Sequence, residues 1–241
     1  MKYINGHLWI NLENHLDMNS FDKINDQIIF AIAKNSKYIE PSFTPRHSLL
    51  NTEHPGFLEE RIKYNQVYPE LDSSQLNWYT KLSGAVTLGS HLMLRKNTGY
   101  PSTYQFKHLK SFTSETLFAP DFNFLFNWIN EQNCFSEYGR VMFWINEPSQ
   151  LSAFHTDYGN LNSDKKDMFI WLTGNFRKKI LIKDTETGNI HSSPYRAMTF
   201  NNINWHGSCG DSNSTSWSLR IDGIFAKSWA ESVGIKGYFN L

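Results

Sequence analysis

The spacing of apolar and polar positions along this chain is helical near the start and strand-like through the second half. From Ser20 to about Lys34, Phe21, Ile24, Ile28, Ile29, Ile32 and Ala33 recur three and four residues apart, which predicts an amphipathic helix with Asn19 or Ser20 as its cap. Ahead of it, residues 2–12 alternate around Gly6 and predict a short strand or hairpin. A second helix is expected from Pro120 to Glu131, with Phe122, Phe126 and Ile129 along one face. Between the two, Gly84 to Arg95 reads as one or two strands, and Asn97 to Tyr104 as a turn whose aromatic residues suit a pocket mouth. Residues 36–75, interrupted by prolines at 41, 45, 55 and 69, predict a long irregular excursion with one short helix near Gly56 to Tyr64. A segment of that length either covers something, as a lid does, or is surface chain held down by Phe57 and Tyr64.

From residue 138 the period shortens to two, with turns between the runs. Strands are expected near Arg140 to Ile145, Leu151 to His155, Met168 to Thr173, Lys179 to Lys183, Asn189 to His191, Ala197 to Phe200, Asn204 to Gly207 and Trp217 to Phe225, with a hairpin turn at Glu186-Thr187-Gly188. Eight antiparallel strands make a jelly roll. The expected class is α+β: a jelly roll with the N-terminal helices packed on the outside of one sheet. One domain spans 1–241, with an extension over 1–137, the jelly-roll core over 138–226 and a tail over 227–241. In the last strand Ser218, Arg220 and Asp222 share one face while Trp217, Leu219, Ile221 and Phe225 share the other. The apolar side then packs under helices, and the polar side lines an interior.

Charge narrows the partners. Lys plus Arg and Asp plus Glu are equal at 23 each, so no net field recruits nucleic acid or an anionic membrane. The basic runs Lys165-Lys166 and Arg177-Lys178-Lys179 read as solvated turns. Cys134 and Cys209 form no zinc motif and are expected to be free thiols. No secretion-type leader or membrane-length apolar run is evident, so a cytoplasmic location is the expectation.

The chemistry concentrates in Phe154-His155-Thr156-Asp157-Tyr158-Gly159, Trp205-His206-Gly207 and Ser218-Leu219-Arg220. If His155 and Asp157 lie on a strand they share a face, and a second histidine completes three ligands on one side of a metal. Two imidazoles and a carboxylate with open positions opposite suit a non-haem Fe(II) oxygenase site, where O2 and an oxidisable co-substrate both bind. A His-x-Asp tripeptide alone is weak, and His15-Leu16-Asp17 is a second one. It sits just ahead of the first helix, where Asp17 reads as a cap residue.

The order His155-x-Asp157, His206 51 residues after His155, and Arg220 14 residues after that resembles the iron(II)- and 2-oxoglutarate-dependent oxygenase superfamily over roughly residues 138–226. The resemblance implies a double-stranded β-helix, with His155, Asp157 and His206 as Fe(II) ligands and Arg220 on the distal carboxylate of 2-oxoglutarate. It further implies Ser218 and Asn146 as co-substrate contacts, and hydroxylation of an unactivated C–H bond with release of succinate and CO2. Asp157 in the carboxylate position points to hydroxylation rather than halogenation. The substrate would be a small molecule, an amino acid or a peptide side chain. Many members carry Ser or Thr two residues after the arginine; here the residue is Asp222, which must turn away from Arg220 or pair with it. Glu147 is a second possible partner for Arg220. Arg140 reads either as a ligand contact or as half of an outward salt bridge, and Tyr158, Trp171 and Trp205 as packing about the metal or as core. Two further readings stay open: a cupin-like divalent-metal protein that does not use 2-oxoglutarate, and a structural β-sandwich.

Overall fold

A computed structural model of the chain describes residues 4, 6–45, 85–98, 113–148, 150–155, 169–174, 178–184, 186–202, 204–211 and 213–235. The first elements are β1 (Trp9–Asn11), α1 (Met18–Lys23), α2 (Asn25–Lys34) and a 3-10 turn, Ser36–Tyr38, followed by β2 (Glu40–Pro45), β3 (Ala85–Thr98), β4 (Thr113–Thr116) and α3 (Ala119–Glu131). Eight strands follow: β5 (Phe135–Asn146), β6 (Leu151–His155), β7 (Phe169–Leu172), β8 (Lys179–Lys183), β9 (Ile190–Ser192), β10 (Ala197–Phe200), β11 (Trp205–Cys209) and β12 (Ser216–Phe225). The described chain closes with α4 (Lys227–Ser232).

All eight expected core strands are present, with ends shifted by a few residues; β5 is the longest extension, beginning at Phe135. From β5 onward successive strands pass between two antiparallel sheets, except for the hairpin β8–β9 within the smaller one. The larger runs β1-β10-β7-β12-β5-β3-β2 with β4 on β3, and the smaller runs β6-β11-β8-β9. That alternation is the double-stranded β-helix. The N-terminal strands widen the larger sheet, and β2 holds its edge with two prolines, which an edge strand tolerates because one side needs no ladder donor. The turn between β8 and β9 closes as expected, with Gly188 at φ +72°, a backbone conformation that favours glycine.

Three features differ from expectation. The first helix is two helices, because Ile24, at φ −93° and ψ 0°, ends α1 and opens α2. Asn25 and Asp26, weak helix formers, follow the break. The cap is Asp17, whose carboxylate accepts the Ser20 N–H at 3.0 Å, so Asn19 and Ser20 lie inside α1. Finally, the expected irregular segments contain β2, and the expected tail begins with α4. The short helix expected near residues 56–64 lies outside the described residues.

The helices cover one face of the larger sheet. Phe21, Ile28, Phe122, Leu125 and Trp128 from the helices meet Phe143, Leu219 and Ile221 from β5 and β12, all buried. Phe143 sits at the centre, with its ring 5.9 Å from Phe122 and edge-on to Trp217 at 5.4 Å. Phe143→Ala is expected to cost about 3–5 kcal/mol, read as a lower denaturation midpoint at constant slope. The opposite face of the sheet looks into the sandwich, where Phe169, Trp171, Ile180, Ile182, Met198 and Phe200 form a second core. None of the helices among the described residues is long and apolar enough to cross a membrane.

Candidate functional site

Two candidate ligand positions stand opposite each other on neighbouring strands. β11 pairs with β6 so that His206 stands opposite His155, and Ser208 stands opposite Ser152. Residues 206 and 208 are two apart, but 152 and 155 are three apart, so β6 carries one extra residue, a β-bulge. Without it, residues 152 and 155 would fall on opposite faces of the sheet. With it, the backbone puts both positions on the face shared by His206 and Ser208. Directly opposed residues in an antiparallel pair have Cβ atoms about 4.5–5.5 Å apart, within reach of a common metal. β6 ends at His155, and residues 156–168, with Asp157 and Tyr158, lie outside the described residues.

His206 is buried and its tautomer is set. Nδ1 lies 2.9 Å from the Asn204 carbonyl oxygen, which can only accept, so Nδ1 carries the proton and Nε2 keeps the lone pair. A backbone carbonyl holding one ring nitrogen is the usual way a metal-binding imidazole is oriented. Phe200 stands edge-on to the His206 ring at 5.3 Å, and Phe169 edge-on to Phe200 at 5.0 Å. These rings form an apolar wall beside the histidine. Trp171 also faces this interior, whereas Trp205 packs with Leu151, Phe154 and Leu181 on the other face of the smaller sheet.

On the facing sheet the polar row of β12 is buried, as its alternation implied. Asp222, fully enclosed, accepts from Arg220 Nε at 2.8 Å and also pairs with Arg140 Nε. Arg140 is 5% exposed, so an outward salt bridge is excluded. Its position on β5, near Asp222 of β12, aims it into the sandwich instead. Of the two outcomes open to Asp222, the pairing one is found. The guanidinium of Arg220 also lies over the Phe169 ring, 4.4 Å from its centroid. Two arginines and one aspartate leave the triad with one net positive charge.

A polar cluster fills the interior farther along the same strands. Asn146, the last residue of β5, donates from Nδ2 to Ser152 Oγ at 3.3 Å, and Ser152 Oγ lies 2.8 Å from Ser208 Oγ. This line crosses from the larger sheet to the smaller. Among the described residues, Asn146 Oδ1, Ser216 Oγ, Ser218 Oγ and Arg220 Nη2 are buried atoms of this interior that make no hydrogen bond. Buried polar atoms left in that state are uncommon and point to something that completes them. Lys178 enters the same region. It is 2% exposed, its ammonium donates to the Trp144 carbonyl at 3.0 Å, and burial pushes it down to about 7.

Lys178 overturns the expectation that Arg177-Lys178-Lys179 is a solvated turn; only Lys179 of the described pair is exposed. The signal lay in parity. Counting back by two from Ile182 and Ile180, which face the sandwich, reaches Lys178, whereas Lys179 falls on the other face. His91 was also missed. It faces Trp144 across β3 and β5, with ring centroids 5.8 Å apart, and desolvation holds it below the ordinary histidine value. Both cysteines are buried free thiols, and burial pushes Cys134 up to about 12, which leaves it unreactive.

No family model and no curated relative matches the chain. Solved structures resemble it at low identity. An oxidoreductase of the 2OG-Fe(II) oxygenase family from Burkholderia pseudomallei is 8% identical over 81% of this chain and 89% of that one, with a TM-score of 0.38. A viral collagen prolyl hydroxylase from Paramecium Bursaria Chlorella virus-1, in a 2OG complex, is 9% identical over 92% of this chain and 98% of its own, with a TM-score of 0.35. A cupin domain from Bordetella pertussis is 12% identical over 38% of this chain and 84% of that one, with a TM-score of 0.26. Likenesses this shallow carry no residue roles. The fold of this chain, a jelly roll widened by N-terminal strands and covered on one face by helices, rests on its own strand order and register.

Proposed function

We propose that this chain is an Fe(II)- and 2-oxoglutarate-dependent dioxygenase that hydroxylates an unactivated C–H bond of a small molecule, an amino acid or a peptide side chain. The observation that carries this reading is the bulged register that sets His155 opposite His206, with the His206 lone pair fixed on Nε2. Asp157, two residues beyond the end of β6, supplies the carboxylate of the ligand set. The donor chemistry fits ferrous iron. Orphaned hydroxyls at Ser216 and Ser218, with a buried cation nearby, suit an anionic co-substrate.

When bound, iron and 2-oxoglutarate supply the oxidising power, O2 being divided between succinate and the hydroxylated product while CO2 leaves. The chain's own work is placement and exclusion of water. The Asn204 carbonyl holds the His206 ring, and Phe200 and Phe169 keep one side of the site apolar. Asn146, Ser218 and Arg220 face the interior in which the co-substrate would lie.

Anaerobic titration of the apo protein with Fe(II), then 2-oxoglutarate, tests this through the visible charge-transfer band of the chelate. The wild type should develop the band, and His206→Ala should lose more than about 100-fold in iron affinity and show no band. Iron binding without the band would favour a cupin-like metalloprotein that does not use 2-oxoglutarate. The pairing of Arg220 with Asp222 is the feature that speaks for that second reading.

A further inference from the structure

Resting on the oxygenase reading above, we infer that Lys178 is the cation that binds the distal carboxylate of the co-substrate, in a subsite completed by the Ser218 and Ser216 hydroxyls and the Asn146 amide. The geometry behind this is local. Lys178 Nζ sits on the carbonyl of Trp144, and Trp144 pairs directly with Ser218 and lies two residues before Asn146. From the other sheet, Lys179 pairs with Cys209, so Lys178 lies beside the turn at Gly210. That turn is pressed against the same cluster: a Cβ on Gly210 would stand 2.5 Å from Ser216 Oγ and 3.4 Å from Asn146 Cβ. Lys178, Ser216, Ser218 and Asn146 therefore converge at one end of the sandwich.

That convergence suits a carboxylate. An ammonium and two hydroxyls are donors, all three side chains are at least nine-tenths buried, and neither hydroxyl has a partner among the described residues. The single hydrogen bond recorded for Lys178 goes to a neutral carbonyl, and no carboxylate within the described residues forms an ion pair with it. A buried ammonium in that position is stabilised when an anion arrives.

Arg220 is engaged in part, because the pairing with Asp222 uses Nε while Nη2 is among the buried atoms that make no hydrogen bond. Its Nε serves Asp222, its flat face lies on Phe169, and Asp222 is shared with Arg140. The triad is a brace between β5 and β12, and its residual positive charge makes Arg220 the alternative clamp from which the test separates Lys178. Spacing agrees. Ser208, linked through Ser152 to Asn146, is two residues along β11 from His206, roughly 7 Å at the rise of a strand. A five-carbon dicarboxylate with its keto acid end at the histidines extends along that line towards Lys178.

The test compares wild type, Lys178→Met and Arg220→Met as anaerobic Fe(II) proteins, with 2-oxoglutarate and pyruvate as probes, reading both heat and the chelate band. Lys178→Met should weaken 2-oxoglutarate roughly 30- to 100-fold, leave iron affinity unchanged, and leave pyruvate, which lacks the distal carboxylate, within about twofold. Arg220→Met should weaken 2-oxoglutarate less than Lys178→Met does. Equal 2-oxoglutarate affinity in wild type and Lys178→Met overturns the assignment of Lys178, whether or not the band forms. Heat that depends on Lys178 but comes without a band keeps the carboxylate subsite and removes the oxygenase reading. Absence of both heat and band in the wild type overturns both.

Discussion

Asp222→Ala is expected to destabilise the protein by about 3–5 kcal/mol, among the largest effects available to a single substitution outside the apolar core. The carboxylate is fully buried and is shared by Arg140 and Arg220, which are 5% and 7% exposed. The substitution takes away the carboxylate that these two enclosed guanidinium groups share. The cost arises from the repulsion of two buried like charges that lose their shared anion more than from the lost bonds, which predicts how it can be relieved. Replacing all three residues together by apolar residues of similar volume should restore stability to near the wild-type value or above it. Urea denaturation at neutral pH measures both. A loss below about 1 kcal/mol for Asp222→Ala would mean that water or another group already reaches the arginines.

The second large effect runs the other way. Lys178→Met should raise the stability of the ligand-free protein at pH 7 by on the order of 4 kcal/mol, because it removes a cation that burial disfavours. The sign follows from proton counting. Burial lowers the Lys178 value from 10.5 to about 7, so between those pH values the unfolded chain holds a proton that the folded chain does not. Wild-type stability therefore climbs as pH rises from 7 towards 10.5, and below pH 7 the full penalty is present. In Lys178→Met that part of the climb should be absent. Parallel pH profiles for the two proteins would show that Lys178 is solvated in solution. A residue that weakens the empty protein and is needed to fill the site is what a binding function exchanges for stability.

Such exchanges explain where the sequence was hard to read. Alternation within β12 made its buried polar face legible, since only one parity carries Trp217, Leu219 and Ile221. Lys178 hid in a run of three basic residues, because charge runs are usually solvated; its parity with Ile180 and Ile182 carried the signal, and the register of β8 against β11 fixes it. The break at Ile24 was equally hidden: the apolar spacing continues through it, and Phe21 and Ile28 on either side pack in one core.

Local pattern determined the eight core strands, the second helix and the order of the candidate ligands, because each depends on periodicity or turn chemistry within a few residues. The tertiary structure decided which distant residues meet. The bulge in β6 that brings position 155 round to His206, the pairing of Arg220 with Asp222 and the seating of Lys178 on the Trp144 carbonyl all follow from strand register and sheet packing. A single-residue slip in register reverses every side chain on a strand, and no local pattern encodes its partner's count.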